Sequence, residues 1–178
     1  MDELIRLLHE GGYSCVIRKE EIRTFTQRGV ADLYDLLNQH PVFLHGAQVA
    51  DKVVGKAAAA LMVLGGVREV YTDIISEPAL AVLHKANIRV ECVQIVSRIW
   101  NRNRTGWCPL ETLCYELESP EAMYPVIQNF VERMRGFGSE LCGSCLVSNV
   151  LMMLYVRRVN VLHIILTNVV CQMVFFET

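Results

Sequence analysis

VFLHGAQVADKVVGKAAAALMVLGGVREVYTDIISEPALAVLHKANIRVECVQIV, residues 42–96, is the stretch whose reading decides the fold. Val42–Val49 reads as a strand. Lys52–Leu64 predicts a helix, with alanines at 57–60 and a Gly65-Gly66 stop. Glu69–Ile75 predicts a second strand. Ser76 is a good N-cap and Pro78 suits a first turn, so a helix follows through Lys85. Ile88–Val96 is a third apolar strand. This β-α-β-α-β order calls for a sheet with crossover helices and puts the chain in the α/β class.

Working outward, residues 2–10 place Leu4, Ile5, Leu7 and Leu8 on one side of a short helix ended by Gly11-Gly12. Ser14–Arg18 and Ile22–Thr26 are short β-rich runs, and the tight link Lys19-Glu20-Glu21 predicts a hairpin. Gly29–Asn38 reads as a helix with Val30, Leu33, Leu36 and Leu37 on one face. Beyond the core stretch, Asn101–Gly106 is a basic turn carrying Arg102 and Arg104. Pro109 starts a helix to about Leu117. Ser119 caps a further one through Arg135, with Pro120 at N1 and Glu121 in the first turn. From Gly136 onward only Glu140, Arg157, Arg158 and Glu177 are charged, and the two apolar runs are split by Arg157-Arg158. We therefore divide the chain into a domain over 1–135 and an apolar extension over 136–178. Three readings of the extension stay open: buried elements, a membrane-associating segment, or a stretch foreign to the domain, as a frame slip would give.

The whole chain has 178 residues, with 17 Lys plus Arg against 19 Asp plus Glu, a net charge of −2. That balance argues against nucleic-acid or anionic-membrane binding driven by net charge. At 52% apolar and 20% charged, the composition argues against disorder and a sizeable core is expected. Seven cysteines at irregular spacing, behind an opening (MDELIRLLHE) that is amphipathic rather than a basic cap on an apolar run, lead us to expect a cytoplasmic protein with free thiols.

Residues 51–111 carry a resemblance. Val54-Gly55-Lys56-Ala57-Ala58, Ile75-Ser76-Glu77-Pro78-Ala79 and Thr105-Gly106-Trp107-Cys108-Pro109-Leu110-Glu111 are its most specific pieces. The chain resembles a small bacterial and archaeal family of unknown function, over about residues 1–135. That family is placed by fold in the cytidine-deaminase-like superfamily. The resemblance implies a three-layer α/β/α sandwich with a mixed sheet, and a chain that departs from the family after about 135.

The superfamily's chemistry can be tested residue by residue. Zinc deaminases need a His or Cys ligand two residues before a Glu at one helix start, and Pro-Cys-x-x-Cys at the next. Here Val54-Gly55-Lys56 stands where His-Ala-Glu would, and Pro78-Ala79 with Val82 where the second motif would. Without three donors no metal is gripped and no water activated, so the expectation is fold without zinc chemistry and no cofactor. Cys114-Tyr115-Glu116 followed by Cys142-Gly143-Ser144-Cys145 is a formal Cys-type set, but its order and element positions are wrong for it.

Both helix starts should lie at one sheet edge, where unpaired N–H groups and a partial positive charge favour an anion. Lys52 and Lys56, four apart, would add charge on one helix face. Asp51 and Glu77 stand at the two helix starts, each able simply to favour the dipole, and Glu77 could pair with Lys56. Asp73 inside an apolar strand needs a partner or exposure. Cys108, ahead of Pro109 and Glu111, could be a nucleophile at a helix start, though no histidine lies near in sequence. His45 could face the pocket from its strand. The ligand-binding candidates are thus Lys52, Lys56, Ser76, Glu77, Cys108 and Glu111; the catalytic candidates are Cys108, Lys56 and Glu77.

Two function readings stay open. The first is a self-associating domain that binds a small anionic or nucleotide-like ligand on a deaminase-like scaffold. The second is an enzyme of nucleotide-related metabolism using Cys108 or the Lys56/Glu77 pair. The composition names no ligand.

Overall fold

The computed structural model describes residues 1–27, 30–101 and 103–136; the expectations for the Cys142–Cys145 pair, for Arg102 and for the apolar extension lie outside them. Residues 1–134 form one compact unit. Its elements run α1 (Asp2–Glu10), β1 (Cys15–Arg18), β2 (Ile22–Phe25), α2 (Ala31–Gln39), α3 (Pro41–Leu44), β3 (Gln48–Val54), α4 (Lys56–Leu64), β4 (Glu69–Ser76), α5 (Glu77–Lys85), β5 (Arg89–Val96), α6 (Pro109–Cys114) and α7 (Pro120–Gly136). No helix among the described residues is long and apolar enough to cross a membrane.

The five strands make one mixed sheet in the order β2-β1-β3-β4-β5. The hairpin forms as expected: β1 pairs antiparallel with β2, and on its other side with β3. From there the sheet is parallel, β3 to β4 to β5, as crossover helices require. Leu4 and Leu8 of α1 bury against Val16, Ala50 and Tyr71 on one face. On the other face α2, α4, α5, α6 and α7 join one larger core, to which α4 contributes the four alanines, Leu61 and Met62. The sheet thus carries helices on both sides, which is the expected α/β class.

Several boundaries differ from the sequence reading. The expected strand Val42–Val49 is instead a short helix followed by a strand. Pro41 occupies N1 of α3, Leu44 turns into the core, and Gly46 at φ +73° reverses the chain before β3 begins. The strand then runs on through Val54, because its β-branched end pairs with Ile74 and Ile75 of β4. The Ala-rich helix therefore starts at Lys56 rather than at Lys52, behind an extended Gly55 (φ −97°, ψ 174°). The helix expected over Gly29–Asn38 spans Ala31–Gln39, and α6 stops at Cys114 short of Leu117. α5 and α7 begin where their caps predict. Ser76 Oγ accepts the Ala79 N–H at 3.3 Å, and Ser119 Oγ accepts the Ala122 N–H at 3.2 Å.

Candidate functional site

β3 and β4 are adjacent and parallel, so α4 and α5 both begin at the C-terminal edge of the sheet, as the alternating pattern implies. A nine-residue helix such as α4 leaves its first backbone N–H groups without intrahelical partners. Its N-cap is Gly55, which has no side chain to offer. The missing cap comes from α6: Glu111 Oε2 accepts the Lys56 N–H at 2.8 Å from 55 residues away. Glu111 is only 2% exposed. A Cβ at position 55 would lie 2.7 Å from Glu111 Oε2 and 3.4 Å from Ile99 Cγ1, so glycine is what lets the carboxylate in.

The exchange runs both ways. Lys56 is itself buried, and its ammonium donates to the Tyr115 carbonyl at 2.6 Å. Tyr115 is the C-cap of α6, where helix carbonyls lack partners. So α6 lends an acid to the start of α4, and α4 lends a cation to the end of α6. Each charge meets the helix end that favours it. One atom is left over: Glu111 Oε1 is buried and has no hydrogen-bond partner. A buried acceptor without a partner costs about 1–3 kcal/mol.

Cys108 at the N-cap of α6 and Cys114 at its last position flank this acid, both as free thiols. Burial pushes Cys114 up to about 11, with nearby Lys56 pulling the other way. Its thiol is therefore protonated near neutrality and is no nucleophile. Cys108 is half-buried against the core and its N–H donates to the Ile99 carbonyl at 2.8 Å. A shelf lies alongside. The Arg98 guanidinium stacks 3.3 Å from the Trp107 ring centroid and 3.9 Å from that of Tyr115.

The structure therefore brings together Lys56, Glu111 and Cys114, with Cys108 at the N-cap of the same short helix, and separates others. Lys52 lies in β3, so it shares no helix face with Lys56. Ser76 is buried and occupied in capping α5. Glu77 stands exposed at the start of α5, and no ion pair joins it to Lys56 among the described residues. His45 precedes β3 and sits beside Gly66, at the opposite end of the parallel strands from the helix starts. Asp51 is in β3 rather than at a helix start.

Asp51 has a separate role. It lies directly across from Cys15 of β1. Val49 and Val54 both reach the larger core although they are five apart, so the regular alternation of β3 breaks between them. At that break Asp51 Oδ1 accepts the Val53 N–H at 3.0 Å. Burial raises the Asp51 carboxyl to about 7, opposed by that bond and by the Cys15 thiol. Burial, then Asp51 itself, raises Cys15 well above the usual thiol value. Asp73, the charge inside β4, does have partners: His9 Nε2 at 3.0 and 3.1 Å, and the Tyr71 hydroxyl, which donates at 3.1 Å.

The sequence reading missed Gly55 as the door for Glu111, and missed Tyr115, Arg98 and Trp107. A Gly-Lys pair at a helix start with no local cap was the available signal for the first. Nothing local announces the others.

A family model described as TM1506, domain of unknown function (DUF1893), matches residues 3–131. The crystal structure of a DUF1893 family protein, TM1506 from Thermotoga maritima, is similar to this chain with a TM-score of 0.66 and 21% identity. The match covers 72% of this chain and 90% of that one, and at this identity it shows a shared fold alone. No curated protein matches.

Proposed function

The chain belongs to the DUF1893 family, whose function is unknown, and from its own geometry we propose that it is a binding domain for a planar, nucleotide-like small molecule at the Glu111 end of α4. The observation that carries this is the Glu111 Oε1 atom, buried and without a partner among the described residues, beside Oε2, which accepts the Lys56 N–H. A buried acceptor left open in an otherwise satisfied cluster fits a hydrogen-bond donor supplied from outside, such as an exocyclic amine. The anionic half of the expectation finds less support. The Lys56 N–H is already bonded to the chain's own Glu111, and the Lys56 ammonium to the Tyr115 carbonyl. The cytidine-deaminase-like arrangement belongs to the same proposal. It is supported by a mixed five-stranded sheet in which adjacent parallel strands each lead into a helix. Free thiols at Cys15, Cys92, Cys108 and Cys114 support a reducing compartment.

The test is a thermal-shift series on the full chain and on Glu111→Gln with cytidine, adenosine and uridine at millimolar concentration. The amide can still accept from the Lys56 N–H, but it places a donor where Oε1 stood. The proposal expects an amine-bearing nucleoside to raise the wild-type Tm saturably and to leave Glu111→Gln unmoved. No shift with any nucleoside, or an equal shift in the variant, would overturn it.

A further inference from the structure

Trp107 and Tyr115 form a slot that a planar group already occupies. Their ring centroids are 6.5 Å apart and their planes 38° from parallel. The Arg98 guanidinium lies between them, 3.3 Å from one centroid and 3.9 Å from the other. Both rings are open to solvent, Trp107 at 44% and Tyr115 at 39%. The occupant is held by its faces alone. Among the described residues none of the guanidinium N–H groups reaches an acceptor, and Arg98 joins no ion pair. An arginine built in as a structural tie ordinarily uses its five donors on carboxylates or carbonyls. Here the fork is unused and only stacking remains.

We infer that the Trp107/Tyr115 slot is a binding site for a planar cation, a guanidinium or amidinium group on a small molecule, and that Arg98 is a resident occupant which such a ligand displaces. The spacing selects a group one atom thick. The electron-rich ring faces select positive charge, and a second cation, the Lys56 ammonium held by the Tyr115 carbonyl, stands 5.8 Å from the Tyr115 centroid. Exchanging one guanidinium for another leaves the ring contacts unchanged and gives the released Arg98 donors to water. This slot does not depend on Glu111 accepting a ligand, so either reading can fail alone.

The experiment uses the full chain with Trp100→Phe, which leaves Trp107 as the single indole of a protein that has two. Methylguanidinium is titrated at constant ionic strength, with and without Arg98→Ala, and Trp107 emission is followed. Methylurea, of the same shape and no charge, is titrated in parallel. With the slot vacated, methylguanidinium should bind saturably with a Kd of order 1–10 mM, as two cation–π faces allow. With Arg98 present, binding should be at least about tenfold weaker because the ligand must first expel the resident side chain. Methylurea should give no saturable change. Equal titrations with and without Arg98, an equal response to methylurea, or no saturation at all would overturn the inference. Arg98→Gln serves as the second vacated variant, and unchanged urea midpoints confirm that each protein compared is folded.

Discussion

Replacing Gly55 with alanine adds a single methyl group 2.7 Å from Glu111 Oε2. The backbone there, at φ −97° and ψ 174°, is open to any L-residue, so the methyl creates no torsional strain. The conflict is with the carboxylate alone. Glu111 must swing away, which breaks its 2.8 Å bond to the Lys56 N–H and leaves a buried anion with both oxygens unbonded. Hydrogen bonds to charged groups are worth about 1.5–3 kcal/mol. Against this, Gly→Ala at a permitted conformation gains about 0.4–1 kcal/mol by restricting the unfolded chain. The net expectation for Gly55→Ala is a loss of about 1–2 kcal/mol, or roughly 3–8 °C in Tm for a unit of this size. The decisive comparison is the same substitution in a Glu111→Ala background. With no carboxylate to displace, only the entropic gain remains, and Gly55→Ala should stabilise by about 0.5 kcal/mol. Urea denaturation of the four proteins closes the double-mutant cycle, with a coupling energy of about 2 kcal/mol expected. If Gly55→Ala acts with the same sign and size in both backgrounds, the carboxylate does not sit where we place it and the reasoning fails.

Asp51 gives a pH prediction. Its carboxyl is raised from 3.8 to about 7 in the folded protein, so between those values the folded state holds a proton that the unfolded state has released. This contribution is fully present below about pH 4 and is lost as pH rises through about 7. Because Asp51 is only half-buried, solvent screening reduces this contribution, and we expect about 2 kcal/mol. Asp51→Asn should flatten the stability profile over that window, and a variant profile parallel to wild type would contradict it. Lys56→Met removes the ammonium that caps α6 and should cost about 1–2 kcal/mol while speeding amide exchange in α6 more than in α5. Unchanged α6 protection would mean the Tyr115 contact does not matter. The partly exposed His9–Asp73 pair should show a coupling below about 1 kcal/mol in a His9→Ala/Asp73→Asn cycle; a value above 2 would show that it anchors α1 more firmly than its exposure allows.

The sequence was most readable where the signal is local. The Lys19–Glu21 hairpin link, the Ser76 cap with Pro78, and the Ser119-Pro120 start of α7 each encode themselves within a few residues. It misled where an apolar run fits two elements: Val42-Phe43-Leu44 has strand composition, and Pro41 with Gly46 makes it a helical turn. Lys52 to Lys56 failed similarly, since an Ala-rich helix looks longer than it is until the pairing of Val53 and Val54 with β4 is known. Glu111 is a candidate from the sequence, but its target lies 55 residues upstream, and the partner that Asp73 needs is 64 residues away. Pairings of that span depend on how helices pack, which periodicity does not encode. The Arg98 stack is further removed still, because any exposed arginine and two aromatics have the same composition.

The crossed exchange between α4 and α6 has a consequence for how this protein can change over generations. Gly55 and Lys56 lie 55 residues or more from Glu111 in the chain, yet the contact between them ties their fates together. A lineage that loses the acid at 111 loses the reason for a bare backbone at 55. It is then free to place serine or aspartate there, sealing the helix from beside it instead of from afar. Chains that drift should therefore flip between these two solutions together, with intermediates rare, and the correlation should be visible in any broad collection of relatives.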